Sequence, residues 1–435
     1  MTMPASLAEI ASCVAGYDPN ALSIDAARAF IDKLVPRIDA VEMLALRSAL
    51  GRTLARDIVS PIDVPPHDNS AMDGYALRGL DLAAVGPTTL QQIGRGLAGQ
   101  EFVGFVAAGQ CVRIMTGAVM PAGLDTVVPQ EFTSVAGDAI TFPEGVLRSG
   151  DNRRLAGEDL ARGEVALRAG RVLRPADLGL LASLGQAEVP VHRRLRVAFF
   201  STGSELRSIG ETLDAGCVYD SNRYTLWAML QRLGVDTLDM GVVRDDPVAL
   251  EAAFRSAASN ADAVITSGGV SVGEADHTKA VMAAIGDVLF WRIAMRPGRP
   301  MAIGRIASTT AGEDGRAGAI LFGLPGNPVA VMVTFYALVR DALLAMAGST
   351  VEPLPLLRAT SIEGIRKKPG RTEYQRAIVT RSGNTGEWQV RITGSQGSGI
   401  LRSMSEANGL VVLHHEQGNV EPGEPVDVLP FDGLM

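Results

Sequence analysis

Apolar residues recur at helical spacing over residues 25–34 and again over 41–50, and Gly51 follows the second run where a helix end favours glycine. Two helices are expected there. After Pro61, Pro65 and Pro66 the texture changes to short apolar runs broken by glycine, at residues 103–107, 111–115 and 125–128. That pattern predicts strands of a small β domain ending near Gly150. A Gly/Arg/Asp-rich crossing at residues 150–155 then leads through Gly163-Glu164-Val165 to an apolar helix over 176–184, which returns the chain to its first region.

From residue 195 to 348 strand and helix signals alternate. Strands are predicted at 196–201, 235–243, 263–266, 288–294, 301–304 and 319–322. Helices are predicted at 223–233, 247–257, 278–285 and 328–346, the last opened by Asn327 as cap and Pro328 at its first position. Such alternation predicts a doubly wound α/β sheet covered on both faces. Beyond Pro353 and Pro355, alternating runs at 375–380, 388–392 and 409–412 predict a compact C-terminal β barrel or sandwich.

Composition narrows the function. With 435 residues the prior is roughly three domains of about 150 residues each. The chain is 47% hydrophobic and 20% charged, too apolar for a disordered protein and too interrupted for a membrane bundle. Forty Lys and Arg against 48 Asp and Glu give a net charge of −8, so no overall field recruits nucleic acid or an anionic membrane. Cys13, Cys111 and Cys217 are far apart and lack metal-ligand spacing, and His67, His192, His277, His414 and His415 form no metal pattern. The first residues lack a basic, apolar signal, and no later run reaches about eighteen uninterrupted apolar residues, so a cytoplasmic protein is expected. No lysine-terminated P-loop, GxSxG or HExxH motif is present.

Ligands of open α/β sheets collect outside the carboxyl ends of the strands. Here those ends read Ser201-Thr202-Gly203-Ser204-Glu205, Arg244-Asp245-Asp246, Thr266-Ser267-Gly268-Gly269-Val270-Ser271-Val272-Gly273-Glu274-Ala275-Asp276 and Gly323-Leu324-Pro325-Gly326-Asn327-Pro328. Glycines let backbone N–H groups approach a ligand, and helix N-termini offer donors to an oxyanion, so an anionic ligand is expected. Any one such loop taken alone reads more readily as a tight turn, and four on one sheet edge shift the balance toward a ligand. Glu205, Asp245, Asp246 and Asp276 are either helix caps or oxygen ligands for Mg²⁺. Arg292, Arg296 and Arg299, where a predicted strand runs into a Pro/Gly turn, either grip an oxyanion with paired donors or form surface ion pairs.

Longer motifs carry a resemblance. Asp68-Asn69-Ser70-Ala71-Met72-Asp73-Gly74-Tyr75-Ala76, Ile114-Met115-Thr116-Gly117-Ala118, Asp125-Thr126-Val127-Val128-Pro129-Gln130-Glu131, the loop 267–276, residues 295–300 and residues 324–328 follow one another in the motif order of one family. Over residues 23–430 the chain resembles the molybdopterin molybdenumtransferases, the bacterial MoeA family related to the gephyrin E domain. The resemblance implies a multidomain α/β protein. Its parts would be a small N-terminal/linker α/β domain (23–58 and 151–192), a β-rich insertion domain (59–150), a doubly wound molybdopterin-binding α/β domain (193–348) and a C-terminal β barrel (349–435).

It further implies an elongated homodimer with a shared cleft, insertion of molybdenum from molybdate into adenylylated molybdopterin, and Mg²⁺-dependent release of AMP. Carried over by position, Asp73, Thr116, Glu205 and Asp276 would be catalytic, and Glu205, Asp245, Asp246 and Asp276 would hold the metal. Ser201, Thr202, Gly203, Gly268, Gly269, Ser271, Gly273, Arg292, Arg296, Pro325, Gly326, Asn327, Arg371 and Ser398 would bind substrate. Ser204 stands where many members carry Asp, Arg292, Arg296 and Arg299 stand where lysines are frequent, and His277 replaces a common aromatic residue. An adenylyltransferase is a possible partner. The competing functions are adenylylation of molybdopterin by this chain itself and non-catalytic molybdopterin binding or scaffolding.

Overall fold

A computed structural model describes residues 6–270, 277–308 and 318–431. Strands β1 (Arg196–Thr202), β2 (Asp236–Val243), β3 (Ala263–Ser267), β4 (Gly286–Arg292), β5 (Pro300–Ala307) and β6 (Gly318–Leu324) form a six-stranded sheet in the order β2-β1-β3-β6-β5-β4. β2, β1, β3 and β6 are parallel, while β5 runs antiparallel to both β6 and β4. The central strands are buried almost throughout, as a sheet covered on both faces requires. Alternation along β1 sends Phe199 into one core with Leu226, Ile265, Phe322 and Phe335, and Phe200 into the other with Leu250, Phe254, Val264 and Met282. The doubly wound expectation holds, with two antiparallel pairings at one edge.

The helix Pro328–Met346 starts at Pro328 and passes through a π turn, Phe335–Val339. It is apolar enough to cross a bilayer, but 72% of its most apolar window is buried inside the protein, so its side chains build the core. The helix Ile24–Leu34 joins the same core. Ser23 caps it by accepting from the Ala26 N–H at 3.2 Å, and Ile24, Ala27, Phe30, Ile31 and Leu34 line its buried face. Phe30 meets the Trp291 ring edge-on at 5.0 Å, and Trp291 Nε1 donates to Tyr17 Oη at 3.0 Å.

Strands β7 (Leu357–Ser361), β8 (Thr372–Arg381), β9 (Trp388–Ile392), β10 (Gly409–Leu413) and β11 (Pro425–Pro430) close into a five-stranded ring in the order β8-β9-β7-β11-β10, with β10 returning to β8. The C-terminal region is therefore a barrel and not a sandwich, filled by Ala377, Val379, Val390, Val411 and Val428. The short strand Met295–Arg296 adds to β8 in parallel, with Arg296 opposite Glu373. These elements belong to one compact unit of Met1–Glu42, Gly51–Thr53 and Val191–Met435.

The second unit, Met43–Leu50 with Leu54–Pro190, is built on a six-stranded sheet. Its strands lie in the order Thr126–Pro129, Gly74–Leu77, Gln110–Ile114, Thr88–Gly96, Ala139–Phe142 and Ser134–Ala136. Tyr75 and Leu77 point to one small core and Ala76 to the other. Two sequence expectations fail near this unit. Residues 41–50 form a strand, Val41–Ala45, and a single 3-10 turn, Leu46–Ser48, instead of a helix. The Leu46 N–H bonds to the Ala187 carbonyl, a long-range partner that overrides the local helical spacing. Residues 103–107 form no strand: Val103 and Phe105 are exposed, and the Phe102 ring folds back over Gly94 and Gly104.

Candidate active site

The carboxyl ends of β1, β3 and β6, the turn at residues 296–300 and a loop of the barrel region enclose a cleft of about 970 Å³. Thr202 ends β1 and Gly203 follows it, Ser267 ends β3 and Gly268 and Gly269 follow it, and Pro325, Gly326 and Asn327 follow β6. Gly268 has φ +97°, and a Cβ there would lie 2.5 Å from the Thr202 carbonyl oxygen, so only glycine lets these two strand ends meet. At Gly269, φ +67°, a Cβ would collide with Thr278. The backbone therefore forms the wall itself, as close approach to an anionic ligand requires.

Asn222 ties two of these loops together. It lies in the first turn of the helix Ser221–Arg232, and its Nδ2 donates to Ser267 Oγ and to the Gly326 carbonyl, both at 2.7 Å. Its neighbour Asp220 caps that helix and accepts from Ser201 Oγ at 3.0 Å. Ser201 is accordingly fully buried behind the wall, where it braces the β1 end rather than facing the cleft.

The opposite wall is basic. Arg296 and Arg299 line it, and Arg371 joins them with Nε and Nη2 at 2.8 and 2.7 Å from Glu373 Oε1. Glu373 is buried and partly neutralises Arg371 while fixing its fork. Behind this wall Arg376 is fully buried, and burial, reinforced by Arg296, pushes its guanidinium down to about 10. Gln396, Gly397 and Ser398 complete the wall.

Two carboxylates of the expected metal set, Glu205 and Asp245, line this cleft. The Asp245/Asp246 alternative divides between the two residues: Asp246 caps the helix Pro247–Asn260 by accepting from the Ala249 N–H at 2.9 Å. Among the described residues no three His, Cys, Asp or Glu side chains gather as a metal cluster. Ser271, Gly273 and Asp276 lie outside the described residues. Arg292, at the end of β4, is exposed and is not among the cleft-lining residues, whereas Arg299, Asn222 and Gln396 are. Arg299 was visible in the sequence as part of the arginine cluster. Asn222 carried only a helix-start signal, and Gln396 no signal beyond its glycine-rich surroundings.

Asp73 and Thr116 meet in the second unit. Asp73 precedes the strand Gly74–Leu77, whose Gly74 is pressed against the Val128 carbonyl with no room for a Cβ. Thr116 follows the strand Gln110–Ile114, and both its N–H and its Oγ1 donate to Asp73 Oδ1, at 2.7 and 2.8 Å. These bonds, with the Thr116 N–H contributing most, hold the Asp73 carboxyl below its usual range, so it is an ionised, oriented carboxylate at neutral pH.

Three family models match successive parts of the chain: the MoeA N-terminal region (domain I and II) over residues 22–185, a probable molybdopterin binding domain over 198–345, and the MoeA C-terminal region (domain IV) over 358–431. The molybdopterin molybdenumtransferase of Haemophilus influenzae is 41% identical over 416 residues, covering 95% of this chain and all of that protein. The molybdopterin molybdenumtransferase of Nostoc sp. is 35% identical over 408 residues, covering 92% of this chain and 91% of that protein. A crystal structure of the molybdopterin biosynthesis moeA protein from Pyrococcus horikoshii OT3 matches with a TM-score of 0.77 at 28% identity, over 94% of this chain and 99% of that one. Family models that together span most of the chain, and relatives matched nearly end to end, establish that it belongs to the MoeA family of molybdopterin molybdenumtransferases.

Proposed function

We propose that this enzyme inserts molybdenum from molybdate into adenylylated molybdopterin and releases AMP. The observation that carries the reading is a single cleft with glycine-lined strand ends on one side and Arg296, Arg299 and Arg371 on the other. Such a cleft suits a ligand with a phosphoanhydride next to a second oxyanion. Loop N–H groups hold the phosphates, and the arginines hold molybdate and the charge that develops on the departing AMP. Water cleaves the anhydride, AMP leaves with the bridging oxygen or the water oxygen on its phosphate, and the pterin dithiol displaces one oxygen of molybdate, which departs as water carrying the two thiol protons. Glu205 and Asp245 suit Mg²⁺, which favours one or two carboxylates together with substrate phosphates and would neutralise charge on the anhydride.

The reading includes a cytoplasmic homodimer in which Asp73 and Thr116 of a second copy serve the cleft, and an adenylyltransferase that supplies the activated pterin. Purified protein mixed with adenylylated molybdopterin, Mg²⁺ and either molybdate or tungstate tests it. The expected result is AMP release matched one for one by molybdenum retained in the pterin product. Tight pterin binding without AMP release would replace the enzyme with a storage protein, and release of pyrophosphate from ATP with unmodified molybdopterin would make the chain an adenylyltransferase.

A further inference from the structure

Arg376, on β8, has no solvent exposure and no carboxylate partner among the described residues. Its guanidinium donates instead to neutral oxygens. Nε reaches Ser403 Oγ at 3.0 Å, Nη1 the Gln396 carbonyl at 3.2 Å, and Nη2 the Ser395 and Gly397 carbonyls at 3.2 and 2.8 Å. Three successive carbonyls thus converge on one cation.

In a planar trans peptide the carbonyl of one residue and the N–H of the next point in opposite directions. Turning the carbonyls of Ser395, Gln396 and Gly397 toward Arg376 turns the N–H groups of Gln396, Gly397 and Ser398 away from it. Those three residues line the cleft on the same wall as Arg296, Arg299 and Arg371. Successive N–H groups aimed one way make a concavity for anions. A buried cation without a counter-charge is costly, and a loop needing only to be tied down would be held more cheaply by a neutral side chain. The cost is understandable if the charge is used.

We infer that Arg376 is a positioning residue: it turns the backbone N–H groups of residues 396–398 toward the oxyanion in the cleft and adds its positive charge behind them. The inference rests on the reading of that oxyanion as molybdate. Its test is the dissociation constant for molybdate, measured by equilibrium dialysis on the full chain, for the unaltered protein, Arg376→Lys and Ser403→Ala, with thermal midpoints and the affinity for adenylylated molybdopterin measured in parallel. Lysine keeps the charge, but its donors radiate from one nitrogen and cannot reproduce the four bonds that the planar guanidinium makes from three. Arg376→Lys is expected to weaken molybdate about tenfold, some 1.4 kcal/mol, and to change pterin affinity less than about twofold. Ser403→Ala, which removes the acceptor of Arg376 Nε and the hydroxyl's own bond to the Ile400 carbonyl but leaves the arginine, is expected to weaken molybdate about threefold.

A molybdate affinity within about twofold of the unaltered protein in Arg376→Lys overturns the inference, as does an equal loss of both ligands, which would mark a purely structural role. If Arg376→Lys does not fold, an unchanged molybdate affinity in Ser403→Ala overturns it. Molybdate binding that depends on Arg376 without any AMP release would sink the transferase reading and leave the positioning role standing. No molybdate binding by the unaltered protein would sink both.

Discussion

Gly268 shows how much a single residue decides in this cleft. Its φ of +97° and the 2.5 Å approach to the Thr202 carbonyl leave a side chain neither conformation nor room. Gly268→Ala is expected to cost about 1–3 kcal/mol of stability and to abolish pterin binding, read from the thermal midpoint and from a binding titration. In the second unit, Thr116→Val removes only the hydroxyl donor to Asp73 and leaves the backbone N–H bond. The Asp73 pKa should then rise part of the way to its ordinary value, a shift that carboxyl NMR titration can follow, while metal insertion falls. Gly268 and Gly326 were legible in the sequence because glycine after an apolar run has few other uses. Asn222 and Arg376 were not, because their partners, Ser267 and Gly326 for one and the carbonyls of residues 395–397 for the other, become neighbours only in the folded chain.

Among the elements, the helix Ile24–Leu34 matches its expectation because its apolar residues occupy one helical face. Phe30 anchors that face against Trp291, so Phe30→Ala should cost about 3–5 kcal/mol, measured by denaturant unfolding of the full chain. The neighbouring residues 41–50 have comparable spacing but became a strand and a 3-10 turn. Spacing alone could not reveal that Leu46 would find Ala187. Residues 103–107 fail in the other direction: an apolar run suggested a strand, yet only Val106 of that run is buried, and Gly104 is covered by the Phe102 ring. Periodicity predicts an element when its apolar face has a core to enter, and these two segments had a different neighbour or none.

For the whole molecule, the alternation of strand and helix from β1 to the helix Pro328–Met346 made the doubly wound sheet legible, whereas closure of the barrel depends on the pairing of β8 with β10 and has no local sign. One pH dependence belongs at this scale. His192 is buried, its ring lies against Gly348, and burial, with Arg37 adding repulsion, lowers its pKa below the ordinary 6.5. The unfolded chain takes up a proton there more readily than the folded one, so this contribution is intact above about pH 6.5 and is lost as pH falls toward the depressed value. The unfolding midpoint of the unaltered protein should decline on acidification through that window, and His192→Gln should flatten the decline.

The closed barrel has a kinetic corollary. A ring of strands has no terminal strand to fray, so its amides should exchange with deuterium as one slow set, released only when a whole seam parts. The strand Met295–Arg296 is laced onto that ring, and the Thr372 N–H donates to the Ala294 carbonyl at 2.9 Å. Paired on one side only, that short strand can fray while the ring stays closed, so the backbone under one of the cleft's cations should exchange ahead of the barrel amides.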